Sequence, residues 1–122
     1  MPYRALKEAG VRVALGTDSA LSCPKLDLRV DARLAQQLHG LSNAEILRLV
    51  TVDGAEVLGQ ADSLGRLTPG YQSDLVLWWN PHIQPEAVTD PLQLWLDPQT
   101  EVVMVWINGR ILLDRCASCW SD

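Results

Sequence analysis

Asp18 is the residue whose type and position point most directly to chemistry. It lies in Gly16-Thr17-Asp18-Ser19, directly after Val11–Leu15, a short run of apolar and β-branched residues. A carboxylate just past the carboxyl end of a buried strand can bind a divalent cation or accept a proton. It can equally cap the next segment through a backbone amide. Single carboxylates at strand ends are common, so the local pattern alone favours capping by roughly two to one.

Other side chains that could bind metals or react are isolated along the chain. Cys116 and Cys119 have CxxC spacing, but there is no second CxxC and no following βαβ unit. Two unpaired thiols are therefore favoured over a CxxC metal or thiol module, and with Cys23 as the third cysteine no disulfide framework is expected. His39 ends an amphipathic segment and His82 lies in a proline-rich one. We expect both to be solvated or hydrogen-bonded.

Length and composition limit the classes of protein. The chain has 122 residues, 48% of them hydrophobic, and a net charge of −5. That size suits one ordinary domain, and it is too short for a closed (β/α)₈ barrel, which needs about 250 residues. The basic residues are scattered, which argues against a nucleic-acid partner. No apolar run approaches the roughly 18 residues of a membrane span, so no membrane partner and a cytoplasmic location are expected.

The elements around Asp18 read as a helix followed by a strand. Tyr3–Ala9 has the pattern of the last turns of a helix, and Gly10 is placed to end it in a left-handed conformation. Val11–Leu15 then predicts a strand. A helix, a glycine and a short apolar strand are typical of a parallel sheet, in which functional side chains gather past the carboxyl ends of strands.

Helices are predicted in the rest of the first half. Leu28–Leu38 has helical spacing of its apolar residues. Ser42 and Glu45 form the sequence pattern of a capping box, which predicts the start of a helix. Thr51 is predicted to cap a further short helix over Val52–Leu58.

From about residue 60 the pattern changes to strands and turns. Thr68–Tyr71 has Pro-Gly at its centre, as a type II turn requires. Asp74–Trp79 reads as a strand. Glu101–Ile107 and Arg110–Asp114 flank Asn-Gly, which predicts a hairpin with a type I′ turn.

The predicted register of this hairpin creates an apolar face. Trp106 would lie opposite Ile111 and Met104 opposite Leu113, which places both pairs on one face together with Val102. Such a face must be covered by other residues.

The change of pattern near residue 60 divides the chain into a helix-rich part, 1–60, and a strand-rich part, 61–122, neither complete alone.

Four pieces of the sequence carry a family resemblance. The first is Ala9-Gly10-Val11 with Val13 to Ser19. The others follow along the chain: Leu41-Ser42 with Ala44 to Thr51, Gly54-Ala55 and Leu58-Gly59; Leu64 to Leu67 with Pro69-Gly70 and Ser73 to Val76; and Val102 to Val105 with Ile107 to Arg110. In this order they resemble the metal-dependent amidohydrolases, in the branch of the chlorohydrolases and the adenosine-like and guanine-like deaminases, and the first piece resembles the last barrel strand of that branch.

The resemblance implies an α/β fold followed by β-structure. Residues 1–60 would supply the last strand and flanking helices of a metal-dependent (β/α)₈ barrel, and 61–122 would supply part of a small composite β-sandwich. Asp18 would be both a metal ligand and the catalytic proton acceptor. The metal would be zinc, or another divalent ion such as iron, in the complete enzyme. The implied substrate is a nitrogen heterocycle, hydrolysed at a C–N or C–halide bond, and a homo-oligomer is expected.

The sequence also departs from the family. The His-x-His pair and the two later histidines of these enzymes have no counterpart here, because His39 and His82 do not follow strands. One carboxylate does not hold a catalytic zinc tightly, so the isolated chain is predicted to be inactive. Many relatives have an asparagine after the serine that corresponds to Ser22, where this chain has Cys23, so the resemblance does not carry over the substrate-side contact there. The alternative is a non-enzymatic truncated product that self-associates through the apolar hairpin face.

Overall fold

The computed structural model describes residues 2–19 and 26–116, without the side chain of Pro85. The chain forms two compact units, Met1–Arg66 and Leu67–Asp122. The interpretation of 1–60 as barrel and 61–122 as sandwich stays a prediction. The described helices include none that is both long and apolar enough to cross a membrane.

The α-helices are α1 (Tyr3–Glu8), α2 (Leu28–His39), α3 (Asn43–Val50), α4 (Val52–Val57) and α5 (Pro91–Leu96). The strands are β1 (Leu75–Trp79), β2 (Glu101–Ile107) and β3 (Arg110–Asp114).

The first unit begins with α1, which ends as the sequence predicts. Gly10 has φ +75, the left-handed conformation that follows many helix ends. Within the described residues, however, Val11–Leu15 forms no strand. A strand exists only where a neighbour supplies the other half of its hydrogen-bonded ladder. The Leu15 amide instead donates to the carbonyl of Leu49 on α3, at 3.2 Å.

The predicted helix start at Ser42 is confirmed. The Ser42 hydroxyl accepts from the amide of Glu45 at 3.3 Å, and the Glu45 carboxylate accepts from the amide of Ser42 at 2.8 Å. This reciprocal pair satisfies two amides that have no partner inside the helix. Apolar residues of α2, α3 and α4, and the loop before α3, form the core of the unit: Ala32, Leu41, Ile46, Leu49 and Ala55.

Helix α4 is present, but the predicted role of Thr51 is wrong. Thr51 makes no side-chain capping bond to α4. Its hydroxyl donates to the carbonyl of Leu47, at 2.7 Å, and so bonds back to α3. The two helices follow each other so closely that the hydroxyl reaches a carbonyl of the last turn before it reaches the amides ahead.

The second unit contains an antiparallel sheet in the order β1-β2-β3. The predicted turn at Thr68–Tyr71 is present, since the amide of Tyr71 donates to the carbonyl of Thr68 at 3.1 Å and Gly70 has φ +93. The predicted hairpin is also confirmed. Asn108 and Gly109 have φ values of +50 and +73, as a type I′ turn requires.

The predicted register of the hairpin is only partly correct. Trp106 pairs with Ile111 as expected, but Leu113 pairs with Val105 rather than with Met104. An irregularity in the ladder between these pairs admits Leu112 as an extra residue in β3. Leu113 therefore lies on the opposite face from Trp106, and the predicted single apolar face does not form.

A buried polar pair closes the long connection between β1 and β2. The Thr100 hydroxyl accepts from the amide nitrogen of Asn80 at 3.1 Å and donates to the carbonyl of Leu94 at 2.6 Å. Both polar residues are buried. The connection contains α5.

Candidate functional site

Asp18 is exposed and lies in a left-handed backbone conformation. Its φ is +59, and among the described non-glycine residues it shares a positive φ only with Asn108. Outside glycine, this region is used mainly by Asp and Asn, and it is enriched at functional positions. Asn108 is explained by its hairpin turn. The left-handed conformation of Asp18 is consistent with a functional role.

The segment that leads to Asp18 is fixed at both ends by backbone hydrogen bonds. The amide of Val11 donates to the carbonyl of Leu6 on α1 at 2.9 Å, and the amide of Leu15 donates to Leu49 on α3. The Arg12 guanidinium also reaches the carbonyl of Glu56 on α4, at 3.4 Å. The course of the segment thus depends on how α1, α3 and α4 are held together.

Asp53 is a buried carboxylate that the sequence analysis missed. It lies in the first turn of α4 and is 8% exposed. Its Oδ1 accepts from Nη2 of Arg48 at 2.8 Å, and its Oδ2 lies 3.7 Å from Nζ of Lys7. The available signal was an acidic residue among the apolar residues of α4, five positions after an arginine. That spacing does not predict a contact along a regular helix, so only the tertiary structure shows it.

The two histidines lie in different surroundings. His39 packs its ring against that of Tyr3, with centroids 5.7 Å apart and an angle of 34° between the rings. His82 is exposed, and its backbone amide donates to the side chain of Asn80. Neither is part of a metal-binding group within residues 2–19 and 26–116.

The CxxC motif is described only at its first residue. Cys116 is half-buried and not in a disulfide. Cys119 lies outside the described residues, as does Cys23 with the preceding Ser22. The preference for two unpaired thiols over a CxxC module therefore stays a prediction.

Two carboxylates at helix starts have lowered pKa values. The side-chain hydrogen bond from Arg29, which is 3.0 Å from the Oδ2 of Asp27, is the main cause of the lowered pKa of Asp27 at the N-cap of α2. The backbone amide of Ser42 is the main cause of the lowered pKa of Glu45, and the Ser42 hydroxyl adds to it. Both carboxylates serve as helix caps.

The described residues do not by themselves fit a catalytic zinc ion. Zinc in enzymes has about three protein ligands and one open position. In the part of the chain that the structure describes, His, Cys, Asp and Glu side chains form no group of three or more that could hold a metal. A catalytic zinc ion would therefore need ligands from outside the described residues.

Most of the amino-acid sequence matches a known protein family. The profile of the amidohydrolase family matches residues 1–112, which is most of the chain. The chain belongs to the amidohydrolase family. The resemblance inferred from the sequence is thereby confirmed.

Individual amidohydrolases show the same relationship. The chain is 34% identical to the 5-methylthioadenosine/S-adenosylhomocysteine deaminase of Pelotomaculum thermopropionicum, an alignment that covers 93% of this chain and 28% of that deaminase. It resembles the structure of an adenosine deaminase from Xanthomonas campestris with bound zinc (TM-score 0.77, 32% identity, 93% of this chain and 28% of that one). It also resembles an atrazine chlorohydrolase from Arthrobacter aurescens complexed with zinc (TM-score 0.77, 30% identity, 93% and 28%).

These relatives include both classes that the sequence predicted, deaminases and chlorohydrolases, and two of the solved structures contain zinc. The chain therefore belongs to a family whose members named here are enzymes. The chain spans 28% of the length of the deaminase that it matches, so it corresponds to part of such a protein.

Proposed function

We propose that this chain is the carboxyl-terminal part of an amidohydrolase that hydrolyses a C–N or C–halide bond of a nitrogen heterocycle. Residues 1–60 would contribute the last barrel strand with flanking helices, and 61–122 would contribute part of the composite β-sandwich. The family match over residues 1–112 and the deaminase and chlorohydrolase relatives support this proposal. The enzyme would be cytoplasmic and would act on a small heterocyclic substrate, without a nucleic-acid or membrane partner.

The observation that carries the proposal is the placement of Asp18. It lies in the stretch of Ala9-Gly10-Val11 with Val13 to Ser19 that resembles the last barrel strand of the family, and it is exposed in a left-handed conformation. In the complete enzyme, neighbouring strands would pair with Val11–Leu15 and convert this segment into a strand. The Asp18 carboxylate would then contribute one ligand to the metal and accept a proton from the attacking water.

The chain alone is proposed to be inactive, because the described residues offer no set of three metal ligands. A graft tests this directly. The part of the deaminase relative that precedes the aligned region would be joined to this whole chain. We expect the graft to deaminate the relative's nucleoside substrates, and the isolated chain to be inactive with or without added zinc. A well-folded graft that is inactive, or an isolated chain that is active, would contradict the proposal.

The alternative function is self-association without catalysis, which is also how a homo-oligomer could form. It is favoured by apolar side chains that are exposed on the sheet: Val76 (47%), Leu77 (45%), Ile111 (54%) and Leu112 (65%). Exposed apolar edges and faces promote association. Sedimentation of the isolated chain at low concentration distinguishes the two, because a compact, stable monomer would contradict self-association.

A further inference from the structure

Asp53 connects three helices of the first unit through its two carboxylate oxygens. It lies on α4, and its Oδ1 is 2.8 Å from Nη2 of Arg48 on α3. Its Oδ2 is 3.7 Å from Nζ of Lys7 on α1. The side chain is 10% exposed. A carboxylate in such a position is costly unless it is paired, and here each oxygen has its own cation.

The same ion pairs lie beside the segment that leads to Asp18. A cleft of about 210 Å³ is lined by Lys7, Arg48 and Asp53 together with Val11 and other residues of the 10–13 stretch. The segment is bonded to α1 at one end and to α3 at the other, through Leu6 and Leu49. These are the two helices to which Asp53 is paired, so the distance that the segment must span depends on the Asp53 carboxylate.

Helix α1 is short and mostly exposed. It has six residues, and Tyr3 is its only buried one. The Tyr3 ring contacts His39 on α2, and Nζ of Lys7 lies 5.9 Å from the centre of the same ring. Nζ of Lys7 therefore lies both over the Tyr3 ring and beside the Asp53 carboxylate on α4. Loss of the Asp53 carboxylate would remove the ion pair that holds α1 to α4 beside residues 10–13.

We propose that Asp53 is a positioning residue, which holds α1 against α3 through Lys7 and Arg48 and thereby fixes the course of residues 11–19 and the place of Asp18. Asp53 acts through other residues and takes no part in bond making. The consequence for catalysis rests on the proposed function, because displacement of a reacting group by about 1 Å can lower a rate by about a hundredfold. The positioning itself does not depend on that function.

Hydrogen exchange of backbone amides in this chain tests the positioning. Lys7→Gln removes the pairing to α1, and Asp53→Asn removes the carboxylate charge and with it both ion pairs. Glu56→Gln is the matched control, since Glu56 lines the same cleft on the same helix. We expect the Leu15 amide to exchange about tenfold faster in the first two variants and within about twofold of the parent in the control.

The amide of Ile46 serves as an internal reference, because it donates to the carbonyl of Ser42 within α3 at 3.1 Å. Its exchange should not change in Lys7→Gln. Equal acceleration at Leu15 and Ile46 would show general loss of stability and would overturn the proposal, as would unchanged exchange at Leu15. Lys7 is 47% exposed, so its variant carries the test even if Asp53→Asn does not fold.

The graft described above tests the catalytic consequence. We expect Asp53→Asn in the graft to lower kcat about tenfold and to leave KM within about twofold, because the substrate contacts are not altered. Accelerated exchange at Leu15 together with an unchanged kcat would overturn the proposed role of Asp18 while supporting the positioning by Asp53. Unchanged exchange would overturn the positioning itself.

Discussion

Gly65 is the position at which the structure allows the effect of one added methyl group to be worked out. Its φ is +83, and a Cβ built on it would lie 2.8 Å from the carbonyl oxygen of Thr51 and 3.0 Å from the Cβ of Ala55. That carbonyl also accepts from the amide of Ala55 in the first turn of α4, at 2.9 Å. Neither neighbour is a flexible side chain, so α4 and the segment after it would have to separate.

Gly59 provides the control for the backbone conformation. Its φ is +68, and nothing lies within 4 Å of an added Cβ. Alanine in the left-handed region costs about 1–2 kcal/mol, and part of this is offset by the lower entropy of the unfolded chain. We therefore expect Gly59→Ala to lower the free energy of unfolding by about 1 kcal/mol. Gly65→Ala adds a steric cost of about 1–3 kcal/mol, giving a total of about 2–4 kcal/mol.

Urea unfolding of the two variants and the parent, followed by circular dichroism, measures both values. The slope of free energy against urea concentration should be the same in all three, so that the midpoints report stability alone. If Gly65→Ala costs no more than Gly59→Ala, the close approach of residue 65 to α4 is wrong.

Three further predictions concern the core, the buried polar pair and the helix cap. Ile46 is fully buried, so Ile46→Ala should cost about 2–5 kcal/mol in urea unfolding, whereas Leu38→Ala, at a residue 68% exposed, should cost about 0.5 kcal/mol or less. Thr100→Val leaves the Asn80 amide without its acceptor and should cost about 1–3 kcal/mol by the same measurement. The pKa of Glu45 is held below its ordinary value of 4.5, so its carboxylate stabilises α3 above that pH and this contribution is lost as pH falls through the lowered pKa. The difference in Tm between the parent and Glu45→Gln should therefore shrink on acidification.

Each of these predictions has an outcome that contradicts it. Equal losses for Ile46→Ala and Leu38→Ala would mean that Ile46 is not in the core. A Thr100→Val variant as stable as the parent would argue against the buried hydrogen bond. A difference in Tm between the parent and Glu45→Gln that stays constant between about pH 6 and pH 3 would show that the carboxylate does not cap α3.

The elements that the sequence predicted correctly are those with a local physical cause. Asn108 and Gly109 adopt positive φ because of their own residue types, and Ser42 and Glu45 satisfy each other's amides within four residues. The hairpin register failed at Leu112, because an extra residue in a strand depends on packing against the rest of the sheet. Local patterns carry no signal for such irregularities.

The sequence points to Asp18, which stays a prediction, but it gives no sign of the ion pairs beside the segment that leads to it. Asp18 follows a recognisable sequence pattern, whereas the burial of Asp53 arises from tertiary contact with Lys7 on another helix. Val11–Leu15 has the composition of a strand and is not one in the described structure, since composition does not supply a neighbouring strand.

The proposal that Asp18 binds the metal and accepts the proton in catalysis is tested most directly by the zinc content and turnover of the graft that carries Asp18→Asn. Asp62→Asn, at another exposed carboxylate of the first unit, is the control. If Asp18 is a metal ligand and the catalytic proton acceptor, Asp18→Asn lowers the zinc content and reduces turnover by at least about a hundredfold, while Asp62→Asn leaves both unchanged. An Asp18→Asn graft that keeps its zinc and its full turnover would contradict the claim.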